Sequence, residues 1–237
     1  MVFPETIADS ATKNREKSPA WLRVAFWISI AISVAVVLRR LAALAAPDVN
    51  APPQMAQLDN TFASHTALTL AHIIPALLFV LVAPFIVFRR AQRVILLERA
   101  FYILGVIVGL TAYAMSTFSV GGWLERSAVL VFDSFYLFSL SRAFIYRQRL
   151  NVLLERRWQL RALAVLLGIA TTRPVMGVFF ATARLTHLVP AQFFGIAFWI
   201  GFSINVLAFE LWLRSVDRRH AHQAPTLLRE PQTRSVL

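Results

Sequence analysis

The sequence predicts an all-α membrane protein, a polytopic bundle of about six transmembrane helices, and three observations favour this class. Of its 237 residues, 58% are hydrophobic and only 15% are charged, whereas soluble domains are about a quarter charged. A soluble protein of this size leaves roughly 30% of its surface exposed, so it could not hide so many apolar side chains. Six segments reach the ~20 apolar residues that cross a bilayer, and none keeps the alternation of a barrel strand.

The six predicted membrane segments have the following approximate bounds. They are 21–45, 66–88, 100–119, 127–147, 161–184 and 191–213. Together they form a predicted transmembrane domain over 21–214, between a polar N-terminus at 1–20 and a polar tail at 215–237 that we expect to be disordered. The connection 47–65 contains PDVNAPPQ, which predicts an irregular loop.

Basic residues lie unevenly on the two sides of the predicted bundle. Only four of the 24 Lys and Arg residues lie in a connection or at a segment end on the side away from the N-terminus. Those four are Arg39, Arg40, Arg126 and Arg184. Because cytoplasmic loops carry excess Lys and Arg, we expect both termini in the cytoplasm and a multi-pass protein of the bacterial cytoplasmic (inner) membrane. The net charge of +12 is thus explained by the orientation of the protein in the membrane. We expect a lipid bilayer as partner and no nucleic acid.

Two LLER stretches stand at the predicted cytoplasmic ends of the third and fifth segments, at 96–99 and 153–156. Their carboxylates, Glu98 and Glu155, lie near helix N-termini, where the helix dipole is positive. We therefore expect both to face water, to cap their helices and to pair with neighbouring arginines.

Four ionisable side chains stand out within the predicted segments, where a charge costs several kcal/mol by insertion scales. They are His72, Asp133, Arg173 and Glu210. Counting helical turns puts the first three at a similar level in the outer half of the bundle, and Tyr113 reaches the same level. A pair between Asp133 and Arg173 would relieve the burial cost of both charges.

These residues allow two interpretations. The first is a polar pocket open to the outer side and formed by His72, Asp133 and Arg173 with support from Tyr113, which could hold a haem, a quinone or a small polar solute. The second is an interhelical salt bridge that only fixes the packing. His65 and His187 are also predicted on the outer side, but nothing in the spacing requires a metal, so we expect no metal site.

Chemical motifs give little support for catalysis. The sequence contains no GxxxxGK[ST], no GxSxG and no HExxH. It also contains no cysteine, which excludes disulfides, thiolate metal sites and a cysteine nucleophile. These observations favour a protein that is not an enzyme and leave the question open.

A group of residues over 62–214 resembles the bacterial membrane protein family called domain of unknown function 2306. The similarity consists of a histidine in the second segment, an arginine at the entry to the third, and a Trp-x-x-Arg entry to the fifth that is followed by a later arginine. The matching residues are His72, Arg99, Trp158, Arg161 and Arg173. Glu98 and Glu155 stand where the family has histidines, so the chain resembles a divergent member. The resemblance implies a membrane bundle and no particular substrate.

Three functions remain open, and we predict the first. It is an accessory or structural subunit that packs against a membrane protein partner or a second copy of the chain. Its contact surface would be aromatic, formed by Phe179, Phe180, Phe193, Phe194, Phe198, Trp199 and Phe202. The alternatives are a protein that binds a small molecule or a redox cofactor in the outer pocket, and a small transporter that acts as an oligomer.

Overall fold

The computed structural model describes residues 20–46, 50, 52–88 and 95–227, and within this part of the chain all regular structure is helical. We number the helices in chain order. They are α1 (Ala20–Ala45), α2 (Pro53–Ala63), α3 (Thr66–Phe88), α4 (Ile95–Ser116), α5 (Gly122–Gln148), α6 (Val152–Leu166), α7 (Gly168–Thr186) and α8 (Pro190–Leu227).

Six spans among the described residues are long and apolar enough to cross a membrane. Five of them are the helices α1, α3, α4, α5 and α8, and the sixth is α6 together with α7, which form one continuous span over Val152–Ala183. The prediction of an all-α bundle with six membrane-spanning segments is thereby confirmed, and the chain has the architecture of a multi-pass membrane protein.

The bundle is built on antiparallel neighbours, since the contacts are densest between α3 and α4, between α5 and α6, and between α7 and α8. α5 is central because it also packs against α4 and α8, whereas α1 lies at the side against α3 and α7. The main core forms where these helices meet, around Phe79, Phe101, Tyr136 and Leu140, each at most 2% exposed.

The outer surface of the bundle is strongly apolar. Phe85, Leu110 and Val178, on three different helices, are 59–64% exposed, and many other large apolar side chains are exposed with them. A soluble protein rarely exposes so extensive an apolar surface. Hydrocarbon chains of a bilayer are the medium that suits it.

The connection after α1 differs from the prediction of an irregular loop over 47–65, because residues 53–63 form α2. Pro53 lies in the first turn, where its missing N–H costs nothing and its fixed φ suits a helix. Asp59 then ties α2 to α1 by accepting hydrogen bonds from Arg39 at 3.1 Å and from Arg40 at 2.5 Å.

The end of the chain also differs from the prediction, since α8 continues through Leu227 instead of giving way to disorder from residue 215. Asp217 on this extension forms a salt bridge with Arg157 of α6, which holds the extra turns against the bundle. The remaining polar ends of the predicted domain division, 1–19 and 228–237, lie outside the described residues.

Candidate functional site

We call the two ends of the bundle the basic end, where α5 ends and α6 begins, and the opposite end, where α5 begins and α7 ends. A cavity of about 260 Å³ lies among α1, α3, α4, α5, α7 and α8 in the half near the opposite end. Thr61 and Phe62 of α2 and its connection to α3 contribute to the wall. The volume is close to the lower limit of ~300 Å³ that is common for small-molecule sites.

His72 of α3 lines the cavity and is held by a hydrogen bond within the bundle. Its Nδ1 lies 2.9 Å from the hydroxyl oxygen of Thr111, and that hydroxyl donates to the carbonyl of Ile107 at 2.7 Å. Because the hydroxyl hydrogen is used in this way, the oxygen accepts from Nδ1–H. Nε2 therefore keeps a lone pair that can accept a hydrogen bond or bind a ligand.

Asp133 of α5 also lines the cavity, and only 9% of it is exposed. Its Oδ2 is buried and has no hydrogen-bond partner within the described part of the chain. The preceding residue fixes its direction, since Phe132 packs against Trp199 and Phe202 of α8 at centroid distances of 5.4 and 5.3 Å. A buried polar group without a partner is unfavourable, so this carboxyl is well suited to a group that enters the cavity.

Arg173 of α7 lines the same cavity and also lacks strong hydrogen-bond acceptors. Its Nε is buried without a hydrogen-bond acceptor among the described residues, and Nη1 contacts only the Met176 sulfur at 3.7 Å, a weak acceptor. The predicted pair with Asp133 is wrong, because no salt bridge joins the two side chains. The two residues nevertheless lie at similar levels of the bundle, since Phe132 stacks on Phe202 of α8 and Thr172 lies against Gly201 of the same helix.

Two further charged residues, Glu125 and Arg40, line the cavity. Glu125, 8% exposed, accepts a hydrogen bond from the backbone N–H of Gly121 at 2.6 Å. The guanidinium of Arg40 lies 3.9 Å from the centre of the Phe62 ring and pairs with Asp59. Glu125 was not predicted as a site residue because the fourth segment was expected to begin at 127, whereas α5 begins at Gly122.

Tyr113 is the one predicted pocket residue that does not line the cavity. Its hydroxyl lies 2.6 Å from the Ser134 hydroxyl, so it joins α4 to α5 elsewhere. His65 does line the cavity, with its ring 3.7 Å from that of Phe118, whereas His187 is exposed at the end of α7. The described residues bring together no group of three His, Asp or Glu side chains that could hold a metal.

Of the residues that carry the family resemblance, His72 and Arg173 reach the cavity, and the others do not. Arg99 is exposed in the first turn of α4. Arg161 lies over the Trp158 ring at 4.5 Å and pairs with Glu210 of α8 through Nε at 2.5 Å. This pair explains how Glu210 is accommodated in an apolar helix, and it joins α6 to α8.

At the basic end, Glu98 and Glu155 are 1% and 0% exposed, so the prediction that they face water is wrong. Arg147 pairs with Glu98 at 3.0 Å. Glu155 accepts from the Tyr102 hydroxyl at 3.4 Å and from Gln159 Nε2 at 3.2 Å. The helices turn these side chains toward one another, and we call these five residues the basic-end cluster.

The aromatic side chains that were predicted to form a contact surface lie inside the bundle. Phe193 and Phe194 are 0% and 4% exposed, and Phe179 stacks on Phe193 at 5.2 Å. Phe180, Phe198, Trp199 and Phe202 are partly buried and pack against the two cores. A partner could not reach most of this set, so the prediction of an aromatic contact surface is wrong.

A close-packed layer separates the cavity from the basic-end cluster. Phe79 and Phe101 stack at 4.7 Å, and the Tyr136 hydroxyl donates to the Gly105 carbonyl at 3.0 Å. A Cβ added at Gly105 would lie 2.9–3.0 Å from Leu140, Tyr136 and Phe79. We call these five residues the central layer, and they form the floor beneath the cavity.

The fold and the cavity together define a class of protein, a multi-pass helix bundle with a ligand-sized cavity in its membrane-spanning part. Comparison with known proteins adds no family to this description: no family model, no curated protein and no solved structure matches the chain. The resemblance noted in the sequence therefore stays a prediction.

Proposed function

We propose that this protein binds a small molecule in its intramembrane cavity. The observation that carries the proposal is that Asp133 and Arg173 line one cavity without pairing with each other. Removing one partner of a buried salt bridge lowers the free energy of unfolding by ~3–5 kcal/mol, because the other charge is left uncompensated. A chain that used these two groups only for packing would pair them, as it pairs Arg161 with Glu210.

An accessory subunit, the function that the sequence favours, receives less support. The aromatic side chains on which that prediction depended are largely internal. The apolar residues that are exposed instead are distributed over all the spanning helices, as a surface in contact with lipid requires. A membrane protein partner or a second copy of the chain is not needed to cover them.

Transport through the bundle receives less support as well. The cavity ends at the central layer, where Phe79, Phe101 and Leu140 are at most 2% exposed. A solute could pass toward the basic end only if this layer came apart. Binding from one side requires no such rearrangement.

The proposal can be tested with single cysteines, because the natural chain has none. Ala112 of α4 lines the cavity, whereas Ala114 on the same helix is exposed on the outer surface. We expect a small polar methanethiosulfonate reagent to modify Ala112→Cys in membranes and to leave Ala114→Cys unmodified. A small-molecule extract of the producing cells should slow the reaction of Ala112→Cys.

Two results would contradict small-molecule binding. One is an unreactive Ala112→Cys, and the other is a reaction rate that the extract leaves unchanged. Absorption spectra and mass analysis of wild-type protein and of an Ala112→Phe variant should then identify what is bound. A haem or quinone would be recognised directly by its absorption in the wild-type spectrum and its loss from the variant.

We further propose that both termini lie in the cytoplasm and that the cavity opens to the outer side, in the cytoplasmic membrane of a bacterium. The arginines at the basic end support this orientation, among them Arg149, Arg156 and Arg157, because cytoplasmic loops carry excess Lys and Arg. Leu150 and Leu185, at the two ends, are 79% and 83% exposed. A membrane-impermeant maleimide should label Leu185→Cys in intact cells and Leu150→Cys only after lysis, and the reverse result would invert the topology.

A further inference from the structure

Arg142 of α5 is a charged residue near the basic end of the bundle, and it does not line the cavity. Among the described residues, no salt bridge joins its guanidinium to an Asp or Glu side chain. We propose that Arg142, with Tyr146 and Trp158 beside it, binds the phosphate group of an anionic phospholipid. This site is separate from the cavity and does not depend on the function proposed for it.

The neighbours of Arg142 on α5 show that it lies on a lipid-facing side of the bundle. Side chains three or four positions apart share one face of an α-helix. Phe138, four residues before Arg142, is 53% exposed, and Ile145, three residues after it, is 38% exposed. Since lipid surrounds the exposed apolar surface of a membrane bundle, Arg142 lies where α5 meets lipid.

The position of Arg142 along α5 places its guanidinium within reach of lipid head groups. α5 has 27 residues and is therefore about 40 Å long, whereas the hydrocarbon core of a bilayer is about 30 Å thick. Arg142 lies six residues before the end of α5 at Gln148, about 9 Å along the helix. An arginine this close to the end of a spanning helix extends its side chain to the interface. Tyr146 and Trp158 suit the same level, because Tyr and Trp are enriched at membrane interfaces.

The contacts of the Arg142 guanidinium hold it in place without balancing its charge. Nη2 donates to the Tyr146 hydroxyl at 2.7 Å, and the guanidinium carbon lies 5.6 Å from the centre of the Trp158 ring. Nη1 has no acceptor within the described part of the chain and is not buried. Arg161 lies against the same Trp158 ring at 4.5 Å, but Glu210 balances its charge. One positive charge is thus left at this ring, and a phosphate would bind it through charge-assisted hydrogen bonds.

The surroundings of Arg142 favour a phospholipid over a free anion. Phe138, one helical turn nearer the middle of the bilayer, offers an exposed apolar surface to an acyl chain. Arg149, seven residues after Arg142, is exposed on the same face at the end of α5. A choline or ethanolamine head group would bring an ammonium group close to this second arginine, whereas the head group of phosphatidylglycerol carries no cation. The site therefore suits an anionic phospholipid.

The inference is tested by native mass spectrometry of the full-length protein in mild detergent, titrated separately with dioleoyl phosphatidylglycerol and dioleoyl phosphatidylcholine. We expect the wild-type protein to bind the first phosphatidylglycerol molecule about fivefold or more tightly than phosphatidylcholine, as one arginine near a lipid phosphate supplies. Arg142→Gln should remove this preference. Arg99→Gln removes an exposed arginine at the same end of the bundle and should leave the preference unchanged.

Binding of phosphatidylcholine separates a lost head-group contact from a damaged fold. Arg142→Gln should bind this lipid as the wild-type protein does, and a parallel loss of both lipids would mean that Arg142 supports the fold and not a head group. Arg142→Lys keeps the charge but loses the planar fork of the guanidinium, so its preference should lie between those of the wild type and Arg142→Gln.

Inorganic phosphate distinguishes a lipid site from a site for the free anion. We expect a large excess of inorganic phosphate to leave the bound phosphatidylglycerol in place, because the free anion makes no contact with the apolar surface at Phe138. Displacement of the lipid by phosphate would overturn the assignment to a phospholipid. Equal binding of the two lipids by the wild-type protein would overturn it as well, as would an unchanged preference in Arg142→Gln.

Discussion

The cavity and the basic-end cluster are two polar regions of one apolar bundle. They differ in whether their buried carboxyl groups have partners within the bundle. In the basic-end cluster, Arg147 pairs with Glu98, and Tyr102 and Gln159 donate to Glu155. In the cavity, Asp133 accepts no hydrogen bond within the described residues. α5 supplies a residue to each region, Arg147 to one and Asp133 to the other.

The difference lies between carboxylates that have partners within the bundle and a carboxyl that could gain a partner from the proposed ligand. The pairings of Glu98 and Glu155 hold α4, α5 and α6 together, so both carboxylates of the cluster have partners, although Gln159 Oε1 is buried without one among the described residues. An unsatisfied group lowers the stability of the empty protein and gains a partner only when a ligand arrives. Mutations in the two regions should therefore change the free energy of unfolding in opposite directions.

The largest expected effect is a loss of stability in the basic-end cluster. Glu155→Ala leaves the Tyr102 hydroxyl without its acceptor in a buried site, removes one of the two acceptors of Gln159 Nε2 and opens a void. We expect the free energy of unfolding to fall by about 3 kcal/mol or more. Tryptophan fluorescence during denaturation in detergent measures it, and a loss below about 1 kcal/mol would contradict the stabilising role of the cluster.

The central layer between the two regions should be nearly as sensitive. In Gly105→Ala the new Cβ would lie 2.9 Å from the Leu140 side chain and 2.9 Å from the Tyr136 hydroxyl, so the layer must shift at a cost of about 1–3 kcal/mol. Gly177 is the matched control, since a Cβ there meets no atom within 4 Å. Gly177→Ala should be neutral or stabilising by up to ~1 kcal/mol, and an equal effect at both glycines would show that the layer is not close-packed.

Asp133→Leu should change stability with the opposite sign to Glu155→Ala. The substitution removes a carboxyl that has no partner and puts an apolar side chain of similar size beside the cavity. We expect the free energy of unfolding to rise by about 1 kcal/mol in the same denaturation assay. A decrease as large as that of Glu155→Ala would mean that Asp133 stabilises the fold, and the distinction between the two regions would be lost.

The smallest expected effect lies outside both regions. Asp217 and Arg157 form a salt bridge with side chains that are 50% and 40% exposed, so solvent and salt screen it. Asp217→Ala should lower the free energy of unfolding by less than about 1 kcal/mol, and the difference should vanish in high salt. A loss comparable to that in the basic-end cluster would contradict the ranking of buried over exposed pairs.

The number and approximate positions of the spanning helices could be predicted from the sequence, because about 20 consecutive apolar residues have few alternatives to crossing a bilayer. The direction in which each helix faces was harder to predict. Lipid and helix–helix contacts are both apolar, so the faces of a membrane helix differ little in hydrophobicity. The positions of Phe193 and Phe194 were wrongly predicted for this reason.

Polar residues in the sequence were predicted with mixed success. His72, Asp133 and Arg173 were found because a charge within an apolar run is conspicuous, and all three line the cavity. Glu98 and Glu155 were misjudged because they sit among arginines near the ends of the spans, and sequence alone does not show whether such a carboxylate turns outward or into the bundle. Only the three-dimensional packing of α4, α5 and α6 shows that they are buried.

The central layer has a consequence for the membrane as a whole. Phe79 and Phe101 stack directly beneath the cavity, and the space at Gly105 is too tight for even one added carbon atom. Protons cross a membrane protein along a continuous chain of hydrogen-bonded water molecules. Such a chain cannot form through a layer packed this closely. Binding of a ligand in the cavity, as proposed, would therefore open no path for protons through the bundle.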